Sequence, residues 1–590
     1  MKAPAALATA AGAVVAWLAV AHAFLLVLLL LAAVAAVLAK WAFLPRHHLP
    51  RNRVRHLRLR LRLRLHPGRG HATLPETWLR WGRLASFLES GRVRPSLTVR
   101  ERLLHPETHS LFLGRAHHRH GLRVSVQEHG AVIGPPRSHK TALLSRLIMG
   151  APGAVVSTSS KPDVFALTSG LRAARGPVHV FNPQGIGDIP STICWSPLDG
   201  CLDASTAIRR ADAFAGAAST AGAEDAAFWA GKASDGMRGM FAAAALSAKD
   251  MRQVGRWVGT SAETPQAVAI LATAQLGEWA AKLAELTGPA EKTSSTIRMV
   301  MSRALGFLDD PSLAASVLPA PGQGFDIDQF LLSGGTLYMI AKGNGEDCTL
   351  GPLFAALACE IQYRAVQLGS RMPAGRLDPP LLMALDEVTQ ICPVPLPAWL
   401  ADSGGQGVSL WSAFHGMAQL RSRWKDPGAQ TVLDTSNVRV FLPGLADTET
   451  LERASKLCGQ VSYHERGEDR HSMHDVLTAG MIRQIPSGFA LLIRGGHAPV
   501  IARLARGWEH RSYKRLNRKG LAAAALIAAP APAPSPPAIP CPANAEPQPE
   551  LAPQPFLSGV IELADITQIN EDGSGDGHGN GRGQYPWSAR

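Results

Sequence analysis

Residues 131–142 read AVIGPPRSHKTA, and this stretch decides how the rest of the chain is interpreted. A short apolar run ends at Gly134, a turn-forming segment follows, and a helical pattern begins at Lys140 and Thr141. This strand–loop–helix order is typical of the phosphate-binding loop G-x-x-x-x-G-K-[ST], whose backbone N–H groups surround phosphate oxygens at a helix N-terminus. The pattern predicts a nucleotide-binding site at this loop.

The loop motif gives its residues separate roles. Lys140 is predicted to reach the β- and γ-phosphates, and Thr141 to hold Mg²⁺ through its hydroxyl. The predicted nucleotide-binding residues of the loop are Gly134, Pro135, Pro136, Arg137, Ser138, His139, Lys140 and Thr141. His139 stands where the motif has its second glycine, a position that favours positive φ. Histidine is among the residues enriched at positive φ, so the sequence leaves open both a working loop and a decayed site.

A second motif lies about 240 residues further on, where residues 381–387 read LLMALDE. Five apolar residues followed by Asp386 and Glu387 predict a buried parallel strand, and ligands bind at the carboxyl ends of such strands. Asp386 is predicted to hold Mg²⁺, directly or through water, and Glu387 to act as the general base toward the attacking water. A strand that ends in a solvated acidic turn gives the same pattern. Both motifs together, in this order, favour a P-loop ATPase.

Further candidate residues follow two other predicted strands. Lys161 comes after the apolar run GAVVST, and it either faces the nucleotide or belongs to a plain turn. His415 follows the run VSLWSAF, at a position where such ATPases place a polar residue that senses the γ-phosphate. Arg421 and Arg423 lie on the predicted helix that comes next, and they are candidate arginine fingers for the site of a neighbouring subunit. A solvated helix face is the alternative for both arginines.

The composition predicts a multidomain chain with a basic character. The 590 residues are 46% hydrophobic and 18% charged, which permits a large core. The net charge of +14 points toward nucleic acid or an anionic membrane surface as a partner. Much of this charge is local, since residues 40–69 hold ten Lys and Arg and no acidic residue precedes Glu76. The seven cysteines form no C-x-x-C pair and are interpreted as buried thiols in a reducing compartment.

The N-terminal region carries the signals of a membrane protein. Residues 11–39 are almost wholly apolar, and about 20 such residues are enough to cross a bilayer as a helix. We therefore predict a membrane anchor over residues 1–44, with one crossing or, alternatively, a tight hairpin. Residues 45–70 form a basic juxtamembrane segment, which by the positive-inside rule places the bulk of the chain in the cytoplasm.

The rest of the chain divides by composition. Residues 71–120 are predicted to be a connector, and residues 121–202 and 321–510 an α/β nucleotide-binding domain. Residues 203–320 are Ala-rich with helical periodicity, which predicts an all-helical insertion. Residues 521–590 are rich in Pro and Gly, which is typical of a disordered tail.

The ordered set of motifs resembles the TraG/TraD-like coupling proteins of type IV secretion and conjugation, and more narrowly their actinobacterial branch. The resemblance covers residues 121–505, and its motifs are VIGPPRSHKTALL, VVSTSSKPDVF, GPLFAALACE, LLMALDE, DSGGQGVSLWSAFHGMAQLRSRW and SNVRVFLPGLADTETLERASKLCG. It implies a RecA-like motor, usually a homo-hexamer, that uses ATP to pass DNA or a relaxase–DNA complex into a type IV secretion channel. The helical insertion would help to recognise that substrate, and residues 380–505 would include the part that docks relaxosome proteins.

The chain departs from the family pattern in three places. His139 replaces the second glycine of the loop, and His415 stands where the family usually has glutamine. The apolar N-terminal segment fits one membrane crossing where two are common. The first two departures fall on the ATP site, so a catalytically weak or inactive P-loop scaffold stays open as an alternative. A coupling protein for protein effectors is a separate alternative.

Overall fold

The computed structural model of the protein describes residues 70–116, 119–218, 225–287, 291–343, 348–464 and 471–518. The predicted membrane anchor, the predicted tail and all but the last residue of the basic segment lie outside these residues. Within the described ranges, no helix is both long enough and apolar enough to cross a membrane.

One eleven-stranded sheet forms the centre of the described chain, in the strand order β2-β1-β13-β12-β9-β3-β8-β7-β4-β6-β5. Its strands are β1 (Ser110–Ala116), β2 (Gly121–Ser125), β3 (Gly130–Ile133), β4 (Val155–Ser159), β5 (Val178–Phe181), β6 (Thr336–Ile340), β7 (Leu381–Leu385), β8 (Val408–Phe414), β9 (Val438–Phe441), β12 (Phe489–Arg494) and β13 (Val500–Leu504). A separate hairpin consists of β10 (Gln460–His464) and β11 (His471–Asp475).

The sheet has a parallel half and an antiparallel half. Seven neighbouring strands of the sheet run parallel to one another, in the order β9-β3-β8-β7-β4-β6-β5. The strands β12, β13, β1 and β2 continue the sheet beyond β9 in antiparallel pairs. Since β8 lies between β3 and β7, the carboxyl ends of these three strands meet at one edge. The predicted α/β fold class is confirmed, and the edge is where α/β sheets bind ligands.

Burial on both faces of the sheet accounts for the largely apolar sequence of the central strands. Every residue of β3, β4, β6, β7 and β8 is buried. A parallel strand has both faces covered, so its sequence does not alternate regularly between apolar and polar residues. The strand β4 is less apolar than the others, since it ends in three buried hydroxyl residues, Ser157, Thr158 and Ser159. This explains why LLMAL and VSLWSAF could be recognised as strands from the sequence.

The described helices fall into three groups along the chain. Those that precede β5 are α1 (Leu74–Trp81), α2 (Arg83–Val93), α3 (Val99–Leu104), α4 (Lys140–Gly150) and α5 (Asp163–Arg172). Those between β5 and β6 are α6 (Ala204–Ala217), α7 (Ala226–Leu246), α8 (Met251–Gly259), α9 (Thr264–Thr273), α10 (Gly277–Thr287), α11 (Glu291–Ala304), α12 (Pro311–Ala315) and α13 (Ile327–Leu332). Those after β6 are α14 (Gly351–Ser370), α15 (Leu396–Asp402), α16 (Met417–Thr435), α17 (Thr448–Cys458), α18 (Ala479–Arg483) and α19 (Arg511–Arg518).

The helices between β5 and β6 pack around α7, whose residues Met237, Met240 and Phe241 are fully buried. The ring of Phe241 lies 5.8 Å from that of Phe214 on α6 in an edge-to-face arrangement. In the described part of this segment the chain forms no strand. A buried ion pair of 3.1 Å joins Arg210 on α6 to Glu360 on α14, so these helices are fixed to the layer that covers the sheet.

The sheet begins earlier in the chain than the sequence predicts. The strand β1 lies inside the segment predicted as a connector, and it pairs with both β2 and β13. The predicted boundary at residue 121 therefore falls between the two strands of a hairpin. A bulge between Phe112 and Gly114 interrupts this pairing, and such irregular strands give a weak sequence signal.

Candidate nucleotide-binding site

The loop between β3 and α4 contains two non-glycine residues with left-handed backbone conformations. Arg137 has a φ of 61°, and His139 has a φ of 77° with a ψ of 19°. His139 is the residue that immediately precedes α4. The position at which the motif has its second glycine therefore does require positive φ, and histidine adopts it.

Lys140 is buried at the start of α4 and turned toward the loop. Its Nζ donates to the carbonyl of Gly134 at 2.7 Å and to that of Pro135 at 3.1 Å, and it lies 2.8 Å from His415 Nδ1. Because an ammonium group can only donate, His415 accepts through Nδ1. Burial lowers the pKa of Lys140, while the carboxylates of Asp386 and Glu387 act in the opposite direction.

Asp386 lies directly after β7 and faces Thr141. Thr141 Oγ1 donates to Asp386 Oδ2 at 2.9 Å, whereas Oδ1 is buried and makes no hydrogen bond within the described residues. Desolvation raises the pKa of Asp386, although the hydrogen bond from Thr141 and the charge of Lys140 oppose this shift. A carboxylate oxygen without a partner beside a hydroxyl is a donor set that suits Mg²⁺, which prefers oxygen ligands.

The neighbouring strand fixes the backbone of this acidic pair. Thr158 on β4 donates through Oγ1 to the carbonyl of Asp386 at 2.9 Å. Glu387 is half-buried and has a φ of 50°, and its carbonyl accepts from the N–H groups of Gln390 and Ile391 at 3.0 Å each. Non-glycine residues in the left-handed region are strained and cluster at functional sites. Neither Thr158 nor this strain was predicted, because a local sequence pattern does not show contacts between strands.

His415 follows β8 and completes the edge between the loop and the acidic pair. Its backbone N–H donates to Gln419 Oε1 at 2.8 Å, and its side-chain Nδ1 lies 3.3 Å from the carbonyl of Gly134. The structure therefore brings together three strand ends that the sequence separates: the loop after β3, His415 after β8 and Asp386 after β7.

A cavity of about 420 Å³ lies beside the loop. It is lined by Pro135, Pro136, Arg137, Ser138, Pro443, Gly444, Arg483, Ile485 and Ser487. Arg483 and Ser487 were not recognised from the sequence, because they are distant in the chain and carry no motif. The cavity places one further arginine, Arg483, near Arg137 of the loop.

Comparison with known proteins shows similarity over part of the chain. A family model described as the TraM recognition site of TraD and TraG matches residues 380–486. The chain is TraG/TraD-like. None of the curated proteins matches it by sequence.

Solved structures of one coupling protein resemble the fold of this TraG/TraD-like chain. The plasmid coupling protein TrwB in complex with the non-hydrolysable GTP analogue GDPNP has a TM-score of 0.50 at 18% identity, covering 64% of this chain and 85% of that chain. An unbound monoclinic form, TrwBdeltaN70, has a TM-score of 0.50 at 18% identity, covering 64% and 84%. TrwB with ADP and Mg²⁺ has a TM-score of 0.49 at 18% identity, covering 64% and 85%.

The residues that the family model matches also contain candidate site residues. They run from the start of β7 to the residues beyond α18, and they include Asp386, Glu387 and His415. The predicted Mg²⁺ ligand and the predicted general base therefore lie within the matched residues.

The predicted arginine fingers are engaged within their own chain. Arg421 donates through Nη1 to Glu449 Oε2 at 2.6 Å, and its Nε lies 2.5 Å from Asp426 Oδ1. The hydrogen bonds to Glu449 are the main cause of a raised pKa of Arg421. Arg423 donates to the carbonyl of Gly216 at 2.6 Å. Neither contact joins these arginines to the loop.

Lys161 is the predicted site residue that stands apart. It is exposed in the turn after β4, where its N–H donates to Ser159 Oγ at 3.2 Å. Among the described residues, no hydrogen bond or ion pair connects its side chain with the loop. The geometry of a plain turn accounts for this residue.

Proposed function

We propose that the chain is a membrane-anchored ATPase that couples a relaxase–DNA substrate to a type IV secretion channel and drives its transfer. One observation carries the proposal: a buried oxygen of Asp386 lacks a partner beside the Thr141 hydroxyl, at the edge where Lys140 and His415 also meet. The GTP analogue in the TrwB complex, which shares this fold, supports a nucleotide as the ligand.

The residues around Asp386 fit a bound Mg²⁺–nucleotide. Thr141 and Asp386 would hold Mg²⁺, which when bound would neutralise charge on the phosphate oxygens. The N–H groups of the loop and the N-terminus of α4 favour anionic phosphate oxygens. The cavity beside Arg137 and Arg483 offers room for the rest of the nucleotide.

Lys140 changes partners when phosphate enters the site. In the structure its ammonium donates to two loop carbonyls. Phosphate oxygens carry negative charge and accept stronger hydrogen bonds than neutral carbonyls, so Lys140 exchanges one for the other. His415 keeps an acceptor, Nδ1, beside Lys140 and so orients the ammonium group during this exchange.

Glu387 is the group that removes the proton from the attacking water. A general base needs a carboxylate within hydrogen-bond reach of that water, and Glu387 is the half-buried carboxylate next to Asp386. Its strained backbone fixes the direction in which the side chain leaves the strand end.

The coupling role is supported by the recognition segment and by the charge of the chain. A family model of the TraM recognition site supports docking of a relaxosome protein on residues 380–486. The net charge of +14 favours DNA as the substrate, since phosphate contacts dominate nucleic-acid binding. The apolar residues 11–39 support the anchor in the cytoplasmic membrane, and the family resemblance supports a homo-hexamer beside the channel.

The decisive experiment is ATP hydrolysis by the full chain in detergent, with and without single- and double-stranded DNA. We expect DNA to stimulate turnover, and Lys140→Ala to lower kcat by about 100-fold or more, because a stabilising charge on the transferred phosphate is lost. Lys249→Ala, on an exposed lysine of the helical segment, is the matched control and should behave as the unaltered chain.

The other outcomes separate the remaining functions. Nucleotide binding without hydrolysis in a folded, assembled sample would contradict the motor and favour the scaffold, which rests on the departures at His139 and His415. Hydrolysis that DNA does not change, together with binding of a protein substrate, would favour a coupling protein for effectors.

A further inference from the structure

The three helices at the start of the described chain expose an unusual amount of apolar surface. Within the described residues, sixteen large apolar side chains are exposed, and eight of these lie on α1, α2 and α3. Each helix exposes an apolar pair four residues apart, which places both members on one face. The pairs are Leu74 and Trp78, Leu84 and Leu88, and Val99 and Leu103.

The helix α2 turns serines toward the core and leucines toward the outside, which is the opposite of an ordinary surface helix. It buries Ser86 and Ser90, while Leu88 is 74% exposed. The buried hydroxyls are satisfied within the helix, since Ser86 donates to the carbonyl of Gly82 and Ser90 to that of Phe87. A globular helix normally turns its apolar stripe toward the core. Because α2 turns its leucines outward, the exposed apolar surface indicates an interaction site.

The charges between these apolar residues are mostly basic. Arg80, Arg83, Arg92 and Arg100 are exposed on the three helices. Two of the three glutamates in this segment, Glu76 and Glu101, complete capping boxes at the starts of α1 and α3. These carboxylates keep their charge while they accept from backbone N–H groups, but the four exposed arginines outnumber the three glutamates, so the segment is net positive.

The position of this surface in the chain identifies its partner. The helix α1 begins four residues after the basic segment 45–70, which itself follows the predicted anchor with its apolar residues 11–39. Exposed Leu and Trp interleaved with Arg are the composition of helices that lie in a membrane interface, and arginines attract anionic headgroups. We propose that α1, α2 and α3 form a docking surface that lies on an anionic lipid bilayer. The inference rests on the proposed membrane anchor and is independent of ATP hydrolysis.

The test uses the full chain in vesicles of phosphatidylcholine and phosphatidylglycerol. Leu88 is replaced by the photo-crosslinker benzoylphenylalanine, and lipid adducts are detected by mass spectrometry after illumination. The matched control places the same group at Leu332, which is 62% exposed on α13. We expect lipid adducts at position 88 and none at position 332. In vesicles of phosphatidylcholine alone, the yield at position 88 should fall several-fold.

Each other outcome overturns the proposal. Adducts with a second copy of the chain would make this surface a subunit contact. A vesicle-bound chain without lipid adducts at position 88, or a chain that does not float with the vesicles, would reject a membrane surface. ATP hydrolysis measured in the same sample keeps the two proposals apart, because adducts without turnover would contradict only the motor.

Discussion

His139 determines whether the loop keeps its shape, because its φ of 77° lies where most side chains are strained. Glycine and asparagine adopt this region readily, whereas a β-branched residue does not. We expect His139→Gly and His139→Asn to bind nucleotide as the unaltered chain does. We expect His139→Val to lower stability by about 1–2 kcal/mol and nucleotide affinity by roughly tenfold. Titration with a fluorescent ATP analogue and chemical denaturation measure both effects; normal binding by His139→Val would show that the loop tolerates another conformation.

Single residues of the site were predictable to the extent that a motif names them. Lys140, Thr141 and Asp386 were identified from two short patterns, and the structure places them together at one edge. The partners that fix them were not predictable, because Thr158 and Arg483 contact the site only through the fold. The assignment of Lys161 stays a prediction, because the sequence left a plain turn open as the alternative and the contacts of its backbone are those of a turn.

At the level of elements, His129 links three strands and makes their pairing sensitive to pH. Its Nδ1 accepts from the N–H of Leu410 in β8 at 3.1 Å, and its carbonyl accepts from Val438 in β9 at 3.0 Å. Desolvation lowers the pKa of His129 to about 4. As pH falls below 6.5, the unfolded chain therefore binds a proton that the folded chain does not bind until about pH 4. The stability contributed by neutral His129 is thus fully present above pH 6.5 and is lost as pH falls toward 4.

The prediction for His129 concerns the slope of stability against pH. Between pH 6.5 and 4.5 its contribution should fall by up to about 3 kcal/mol, since each unit of pH is worth about 1.4 kcal/mol for one proton. His129→Asn keeps an acceptor near Leu410 N–H and removes the titration, so its free energy of unfolding should fall less steeply over this range. Urea denaturation at several pH values gives both slopes. Parallel slopes for the two proteins would refute this role.

The central strands were predictable because burial on both faces leaves a continuous apolar run, as in β7 and β8. The antiparallel strands were predicted less well. The strand β1 contains a bulge at Gly114, and its partners β2 and β13 lie on either side of it, one nearby and one about 390 residues away in the chain. Sequence periodicity shows that a strand exists, but it does not show which edge of a sheet that strand will extend.

At the scale of the whole molecule, the contacts of Arg421 distinguish the two predicted arginine fingers. Arg421 is held by the carboxylates of Glu449 and Asp426, so it brings little net positive charge to a neighbour's nucleotide. Arg423 donates to the carbonyl of Gly216, which lies outside α16 and α17. An arginine finger stabilises negative charge in the transition state. We therefore expect Arg421 to fix α16 against α17 and Arg423 to act between subunits of a ring.

Mixed oligomers test this assignment. An Arg423→Ala subunit keeps its own loop but lacks the finger, whereas a Lys140→Ala subunit supplies the finger but cannot hydrolyse. Each variant alone should be inactive. A ring repeats one identical contact, so in an equal mixture about a quarter of the interfaces combine an intact loop with an intact finger from the neighbour. Turnover should return at these interfaces. Mixing Arg421→Ala with Lys140→Ala is the matched control and should restore no more than the residual turnover of Arg421→Ala itself. Restoration only in the control pair would assign the finger to Arg421, and restoration in neither pair would show that each site is complete within one chain.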